Sequence, residues 1–173
     1  MDSIAEGIWL TGELLKPDER TRLLALSREN GYRGARMKSH GRHNRESFLW
    51  LPDIAQGIAF RLNSEIRKEK LVAFRISEMS STLQCYLYQQ GDRVAPHRDG
   101  SSHVRNGKWS VLTLVIYLND EFTGGTTGFP ELRIELSAPA GHGLLFKQQL
   151  LHEGTRVVTG EKYIVRTDVA TVC

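Results

Sequence analysis

The sequence predicts a mainly β fold, an antiparallel barrel or jelly roll with α-helices packed on its outside. Two observations carry this prediction. Before about residue 70 the apolar residues recur every three or four positions, which is the spacing of a helix that faces a core. After residue 70 the spacing falls to two, and turns that contain glycine separate short β-branched and aromatic runs with no helices between them.

Two helices are predicted before residue 70. Pro17 has the fixed φ that suits a first helical position, and the sequence predicts a helix from about Pro17 to Asn30. A second helix should run from Pro52 to about Lys68. It is predicted because apolar residues recur at every fourth position, namely Ile54, Ile58, Leu62 and Ile66.

Six strands are predicted after residue 70. No glycine-rich phosphate loop follows any of them, so Gly124 and Gly125 are interpreted as a turn, and a doubly wound nucleotide-binding fold is disfavoured. The predicted strands are Leu71–Ile76, Ser81–Tyr88, Val111–Leu118, Leu132–Ser137, Gly143–Lys147 and Lys162–Val172.

Composition and charge argue against several classes of protein. The net charge of the 173 residues is +3, which is too small to indicate a nucleic-acid partner. The longest uncharged apolar run, Val111–Leu118, is far shorter than the roughly 20 residues of a membrane helix. The N-terminus lacks the basic start and apolar segment of a signal peptide, so we expect a cytoplasmic location. Cys85 and Cys173 form neither a disulfide framework nor a metal-knuckle spacing.

The positive charges are concentrated in the interval Arg33 to Arg45, which contains no acidic residue. Such a run is typical of a hydrated loop. Its position between the two predicted helices leaves a second interpretation open, in which the interval attracts an anionic partner. The basic residues are Arg33, Arg36, Lys38, Arg42 and Arg45, with His40 and His43.

A candidate metal site begins with His97 and Asp99. Residues two apart in an extended chain project to the same side, so this imidazole and this carboxylate can share one ion. His152 lies between two predicted strands, and antiparallel strands of a barrel would bring it to His97. Two imidazoles and one carboxylate leave coordination positions open, as in non-haem Fe(II) oxygenases. The ligand types alone leave a catalytic zinc hydrolase as an alternative.

A cation follows the candidate metal site. Lys162 comes ten residues after His152 and begins the last predicted strand. A strand that returns past a short turn would place Lys162 a few ångströms behind the ion, where it would bind a carboxylate of a chelating cosubstrate. Arg166 lies on the same face of that strand, four residues further on.

Four groups of motifs occur in a fixed order around these residues. They are Tyr88-Gln89-Gln90-Gly91 before Pro96-His97-Arg98-Asp99-Gly100, Tyr117-Leu118-Asn119-Asp120 before Gly124-Gly125-Thr126-Thr127-Gly128-Phe129-Pro130, Pro139-Ala140-Gly141 before Leu144-Leu145-Phe146, and His152-Glu153-Gly154 before Gly160-Glu161-Lys162-Tyr163. With these motifs, residues 81–172 resemble the Fe(II)- and 2-oxoglutarate-dependent dioxygenases of the prolyl 4-hydroxylase type. The resemblance implies a double-stranded β-helix with the helices outside.

The resemblance also implies the ligands of the metal and of the cosubstrate. In this family pattern His97, Asp99 and His152 bind Fe(II), and Lys162 pairs with the distal carboxylate of 2-oxoglutarate. Tyr117 resembles the phenol that hydrogen-bonds the same carboxylate in some members.

The resemblance assigns two further residues to the cosubstrate pocket, and each of them has other possible roles. Tyr88 resembles an aromatic residue that lines this pocket, with packing in the barrel core as its alternative. Arg166 would assist Lys162, grip the substrate, or pair with Asp168 or Glu153 as part of the structure.

The implied activity is hydroxylation of an aliphatic C–H bond by Fe(II), 2-oxoglutarate and O2, with release of succinate and CO2. The substrate would be a small molecule, an amino acid or a peptidyl residue, and an anionic substrate would suit the basic interval and the segment Arg105 to Lys108. Two alternatives are a non-enzymatic metal-binding or sensing barrel, and a cupin-type metal enzyme that does not use O2. No oligomeric state is predicted.

We expect residues 1–173 to form one dioxygenase domain. Residues 1–70 would supply helical support and a substrate-side loop, and residues 71–173 the catalytic barrel.

Overall fold

The computed structural model describes residues 1–34, 41–68 and 74–172. Strands dominate the chain, and two long helices lie in its N-terminal part. In chain order the elements are β1 (Asp2–Ala5), β2 (Ile8–Glu13), α1 (Pro17–Asn30), β3 (Arg33–Gly34), β4 (Arg45–Trp50), α2 (Pro52–Lys68), β5 (Arg75–Met79), β6 (Thr82–Tyr88), β7 (Val94–His97), β8 (His103–Arg105), β9 (Lys108–Trp109), β10 (Leu112–Tyr117), β11 (Phe122–Gly124), β12 (Thr127–Phe129), a 3-10 helix (Pro130–Leu132), β13 (Ile134–Leu136), β14 (His142–Lys147), β15 (His152–Gly154), β16 (Val157–Gly160) and β17 (Lys162–Val172).

Two antiparallel sheets face each other. The larger sheet has the strand order β1-β2-β14-β10-β17-β6-β4-β3, and β5 also pairs with β17. The smaller sheet has the order β13-β12-β15-β7. Their side chains interleave: the ring of Phe129 on β12 meets that of Phe146 on β14 edge-on, with centroids 5.3 Å apart. Two short pairs, β11 with β16 and β8 with β9, lie beside the sheets.

The central strands of the larger sheet are buried on both faces. On β10 the side chains alternate between two hydrophobic clusters, because successive residues of a strand point to opposite faces. Leu112, Leu114 and Ile116 join the cluster that contains the helices, whereas Val115 and Tyr117 join the cluster between the sheets. The same alternation on β17 turns Lys162, Ile164 and Arg166 toward the smaller sheet. The period-two pattern therefore decides which side chains reach the interior of the barrel.

Both predicted helices are confirmed, with the same bounds. At the start of α1 the Lys16 amide donates to the Glu19 carboxylate at 2.8 Å, which satisfies a backbone group of the first turn. The four apolar residues at fourth positions on α2 are all buried, and burying one such side chain contributes about 1.5–3 kcal/mol. Both helices pack on the face of the larger sheet that is turned away from the smaller sheet.

The prediction that the first 70 residues are mainly helical is incomplete. β1, β2 and β4 belong to the larger sheet, so the sheet takes strands from both sides of the predicted division at residue 70. β4 lies between the two helices in the chain and pairs with β6 along six residues. β1 pairs with its neighbour β2, whereas β2 and β4 gain their other partners far along the chain, in β14 and β6. The local apolar period of these short strands therefore does not reveal them.

The strand predictions after residue 70 are mostly accurate to within one residue. The predicted strands Ser81–Tyr88, Val111–Leu118, Gly143–Lys147 and Lys162–Val172 correspond to β6, β10, β14 and β17.

Two strand predictions need correction. In the predicted strand Leu132–Ser137, the first residue instead ends a 3-10 helix that starts at Pro130, because proline fixes a helical φ and donates no ladder hydrogen bond. β13 then covers Ile134–Leu136. Residues 71–73 of the predicted strand Leu71–Ile76 lie outside the described residues, and β5 begins at Arg75.

The structure also bears on the absence of a membrane helix, on the two cysteines and on the basic interval Arg33 to Arg45. Within the described ranges, no helix is long and apolar enough to span a membrane. Cys85 is buried with a free thiol, whereas Cys173 lies outside the described residues. Residues 35–40 of the basic interval also lie outside them, as does the side chain of Arg105.

Candidate active site

Antiparallel pairing brings the predicted metal ligands together. β7 and β15 are neighbours in the smaller sheet, and His97 lies directly opposite His152, with ring centroids 4.3 Å apart. The Asp99 carboxylate lies 3.7 Å from His97 Nε2 and 3.6 Å from His152 Nε2. One ligand atom from each residue lies within 4.8 Å of the others. Two ligand atoms that are each about 2.1 Å from one ion lie at most about 4.2 Å apart. The separations of the Asp99 carboxylate from both imidazoles meet this limit, so the triad fits a metal.

The two imidazoles are held with Nε2 toward the shared position. His97 Nδ1 lies 2.9 Å from the Ala95 carbonyl, and His152 Nδ1 lies 3.0 Å from the Leu150 carbonyl. An Nδ1–H that donates to a carbonyl leaves Nε2 free to bind a metal. Burial lowers the pKa of His97 to about 4 and also lowers the pKa of His152. Both rings are therefore neutral near pH 7, as metal ligands must be.

Asp99 is kept ionised by its neighbours. Burial alone would raise the pKa of this carboxyl, but Arg166, His152 and a hydrogen bond from Thr113 outweigh burial and lower it. The Thr113 hydroxyl donates to Asp99 Oδ2 at 2.6 Å, and Arg166 Nη2 lies 3.2 Å from the same oxygen. Thr113 was not predicted as a site residue. Thr113 lies on the same face of the predicted strand Val111–Leu118 as Tyr117, and this shared face is the sequence signal that could have identified it.

Arg42 contacts Nε2 of His97, the nitrogen that would bind a metal. Its Nη2 lies 3.0 Å from His97 Nε2. Because a guanidinium can only donate, the His97 nitrogen is the acceptor of this hydrogen bond. The same lone pair would bind a metal, so the two interactions exclude each other, and Arg42 must move from this nitrogen when an ion binds.

Lys162 lines a cavity that also contains His97 and His152 of the triad. Its side chain is 2% exposed, and Nζ donates to the Gly125 carbonyl at 2.5 Å. Nζ also lies 4.8 Å from the centre of the Tyr117 ring and 5.1 Å from that of Tyr88. Within the part of the chain that the structure describes, Lys162 has no carboxylate within 4.0 Å. Burial accordingly lowers the pKa of Lys162 to about 7.

The absence of a side chain at Gly125 leaves room for Lys162 beside it. Its φ is +61°, a left-handed conformation that favours glycine, and a Cβ at this position would lie 3.2 Å from Lys162 Cδ. The predicted turn at this glycine pair therefore also supplies a contact to Lys162.

Both predicted tyrosines lie near Lys162, in different ways. Tyr88 lines the cavity, together with His97, His152 and Lys162. The Tyr117 ring contacts Lys162, but its hydroxyl lies 2.9 Å from Thr127 Oγ1 and 3.4 Å from the Leu136 carbonyl. Thr127 lines the cavity and was not predicted as a site residue. The predicted bond from Tyr117 to a cosubstrate carboxylate would require this hydroxyl to change partner.

Arg166 shows one of its three predicted alternatives. It pairs with Asp168 at 3.0 Å and with Asp99 at 3.2 Å. Asp168 is itself fixed by Gln148 and Ser102, which donate to its two oxygens at 3.0 and 2.9 Å. The two carboxylates outweigh the effect of burial and raise the pKa of Arg166.

Comparison with known proteins identifies this arrangement. Residues 82–167 match the 2OG-Fe(II) oxygenase superfamily. The chain belongs to this superfamily. A putative prolyl 4-hydroxylase of Acanthamoeba polyphaga mimivirus is 35% identical to it over a stretch that covers 37% of this chain and 31% of that protein. The match thus spans about a third of the length of this curated relative.

Solved structures share the fold of this superfamily member. The viral collagen prolyl hydroxylase of Paramecium bursaria Chlorella virus-1, in its 2OG complex, is 19% identical with a TM-score of 0.69, and the alignment covers 99% of this chain and 100% of that one. A prolyl-4-hydroxylase of Pseudomonas putida is 16% identical with a TM-score of 0.65, covering 95% and 92%. The predicted double-stranded β-helix is confirmed.

Superfamily membership confirms the predicted enzyme class, a 2-oxoglutarate-dependent oxygenase, and the predicted resemblance to prolyl 4-hydroxylases. Together with the His-Asp-His triad it also confirms Fe(II), 2-oxoglutarate and O2 as the cofactors. These findings favour an oxygenase over the non-enzymatic barrel and over the cupin-type enzyme that works without O2.

Proposed function

We propose that this protein hydroxylates an aliphatic C–H bond of a small-molecule, amino-acid or peptidyl substrate and releases succinate and CO2. The buried Lys162, which has no carboxylate partner among the described residues and shares a cavity with the metal triad, carries this proposal. When bound, Fe(II) with 2-oxoglutarate and O2 supplies the oxidant.

His97, Asp99 and His152 would hold the iron on one face and leave the opposite positions open for the cosubstrate and O2. Thr113 and Arg166 occupy Asp99 Oδ2 and thereby orient the carboxylate. Such outer partners of a metal ligand fix its direction and keep it charged.

Lys162 would bind the distal carboxylate of 2-oxoglutarate inside the cavity. The rings of Tyr88 and Tyr117 lie 5.1 and 4.8 Å from its ammonium group and help to bury it. A carboxylate in this dry cavity would give the buried charge a partner and raise the pKa of Lys162 again. Tyr88 and Tyr117 are assigned to the same pocket, and Arg166 to orientation of Asp99.

An anionic substrate is supported by the position of Arg42, which reaches the triad from the basic interval. Arg45 is exposed instead and donates to the Gln89 side chain. A peptidyl substrate is supported by a Trichoplax adhaerens prolyl hydroxylase, solved in complex with a hypoxia inducible factor peptide, which has a TM-score of 0.69 to this chain at 15% identity. The cytoplasmic location stays a prediction from the sequence.

Succinate formation from 2-oxoglutarate with Fe(II) and O2 tests the proposed function. We expect the wild-type protein to form succinate and Lys162→Met to form far less at the same 2-oxoglutarate concentration. Lys68→Met is the matched control, because Lys68 is an exposed lysine at the end of α2. Absence of iron-dependent succinate from the folded wild-type protein, with the metal bound, would support the non-enzymatic alternative.

A further inference from the structure

An open cleft over the face of the paired strands β4 and β6 reaches the triad beside Asp99, apart from the Lys162 cavity. Arg42 and Arg166 line both the cleft and the cavity, so the two spaces meet beside the metal ligands. Because the proposed function assigns the Lys162 cavity to 2-oxoglutarate, the cleft is available to the substrate. The cleft is lined by Arg42, Glu46, Phe48, Gln84, Tyr86, Asp99 and Arg166.

The charge of Arg42 lacks an anionic partner within the described residues. Arg166 contacts two carboxylates, whereas no described carboxylate lies within 4.0 Å of the Arg42 guanidinium. Its bond to His97 Nε2 is lost when a metal takes that nitrogen. A half-buried guanidinium in this position is stabilised by an anion, and its planar donors match the two oxygens of a carboxylate.

Asn44 provides a second, independent observation in the same place. Its side chain is 2% exposed, and neither amide atom has a hydrogen-bond partner in the described structure. Burial alternates along this stretch: Arg42, Asn44 and Glu46 are turned inward, and His43 and Arg45 are exposed. Asn44 therefore faces the same way as Arg42 and Glu46, which line the cleft, and is buried beneath the cleft surface instead of lining it. A buried amide with free donor and acceptor atoms indicates a position where a ligand forms hydrogen bonds.

We propose that Arg42 and Asn44 form a carboxylate-binding site for the substrate, so that the enzyme acts on a carboxylate-bearing compound whose reactive carbon lies toward the metal. This inference rests on the proposed function, since the cleft is a substrate site only if the triad binds the catalytic metal. The carboxylate would bind the guanidinium that the metal displaces from His97, with the unpartnered Asn44 amide beneath the cleft surface as a further donor once the side chain turns toward the ligand.

The test uses two small probes, N-acetylglycine and its uncharged analogue N-acetylglycinamide, added to the full chain loaded with Mn(II) and 2-oxoglutarate without O2. Paramagnetic relaxation of the probe protons by Mn(II) reports binding close to the metal and needs no turnover. We expect N-acetylglycine to bind about tenfold or more tightly than the amide, because a charge-assisted hydrogen bond is lost with the carboxylate.

Arg42→Gln should remove this preference, and Asn44→Asp should remove it through repulsion between carboxylates, with circular dichroism to confirm that each variant is folded. Arg45→Gln changes the net charge equally, but it alters an exposed arginine that donates to Gln89, so the preference should remain. A preference that persists in Arg42→Gln, or equal relaxation of both probes by the wild-type protein, overturns the inference.

The two proposals fail in distinguishable ways. If the wild-type protein does not bind 2-oxoglutarate in the presence of Mn(II), the proposed function is contradicted, whichever probe binds. If Arg42→Gln weakens 2-oxoglutarate binding as strongly as Lys162→Met, Arg42 serves the cosubstrate and the inference is wrong while the proposed function stands.

Discussion

β17 carries two largely buried cations on one face, and their surroundings differ. Arg166 contacts the carboxylates of Asp99 and Asp168, whereas Lys162, four residues earlier, contacts a backbone carbonyl and no carboxylate among the described residues. A buried cation with two acids is part of the framework of the protein. A buried cation without an acid is destabilised until an anion binds. The comparison separates an arginine that positions a metal ligand from a lysine that is available to a ligand.

The largest loss of activity is expected from substitutions in the triad of His97, Asp99 and His152. His152→Ala removes one of the three proposed metal ligands, so we expect metal affinity to fall by more than about a hundredfold and turnover to fall to background, with the same result for His97→Ala and Asp99→Ala. Metal titration of each folded variant measures this. Undiminished iron-dependent activity in the His152 variant would exclude His152 as a ligand.

Loss of the lysine charge should weaken cosubstrate binding. We expect Lys162→Ala to raise the apparent KM for 2-oxoglutarate about a hundredfold, since a charge-assisted bond in a dry cavity is lost, and Lys162→Arg to raise it less because the charge stays. Steady-state kinetics over a range of 2-oxoglutarate concentrations would measure both. If Arg166→Ala abolishes 2-oxoglutarate binding and Lys162→Ala does not, Arg166 binds the cosubstrate and the role proposed for Lys162 is wrong.

The same two cations should have opposite effects on stability. Arg166→Met leaves two acids without their partner, and we expect it to lower the free energy of unfolding by about 3–5 kcal/mol. Lys162→Met removes an unpaired buried charge, and we expect the free energy of unfolding of the cofactor-free protein to stay equal or to rise. Urea unfolding of both variants measures the difference. Equal destabilisation by the two substitutions would show that Lys162 has a stabilising partner.

The lowered pKa of Lys162 makes its effect on the free energy of unfolding depend on pH. Burial lowers this pKa to about 7 in the folded protein, from 10.5 in the exposed side chain. Between these values the unfolded chain binds more protons, so the free energy of unfolding contributed by Lys162 rises with pH from about 7 to 10.5. Lys162→Met should lack this rise in urea unfolding without cofactors. An equal rise in the variant would assign the titration to other groups.

The smallest effect concerns the competition at His97. Arg42→Gln removes the guanidinium that donates to His97 Nε2, so we expect Mn(II) to bind about three to ten times more tightly, as one hydrogen bond no longer has to break. Isothermal titration of Mn(II) without cosubstrate measures this, with Arg45→Gln as the control of equal charge. Unchanged affinity would mean that the Arg42 contact does not oppose the metal.

The features that were predictable from the sequence are those set by local period and spacing. The start of α1 follows from Pro17, the bounds of α2 follow from apolar spacing, and β17 follows from its β-branched residues after a glycine-containing turn. The meeting of His97 with His152 follows from the strands that flank the two residues. The helix and strand patterns are each written within a few turns or a single strand. The meeting of His97 with His152 joins two strands and was predicted from antiparallel pairing in a barrel.

Contacts between distant segments were not predictable in the same way. The partner of Arg42 is 55 residues away, and Thr113 donates to a carboxylate 14 residues away. β4 has no distinctive local pattern, because its place is determined by pairing with β6. For Arg166 the sequence left three alternatives, since one residue's position on a strand does not reveal which acids surround it.

The order of strands in the larger sheet has a consequence for any shortened form of the protein. The strands that carry the cavity, β10, β17 and β6, lie inside this sheet, and residues before position 51 supply the outer strands on both sides, β1 and β2 next to β14, and β4 and β3 next to β6. A fragment limited to residues 82–167 would retain the metal and cosubstrate residues but would leave the backbone donors and acceptors of β14 and β6 unpaired. Such open edges associate with other chains. We therefore expect the N-terminal strands to protect both sides of this sheet from association with other chains, and a fragment of residues 82–167 to aggregate.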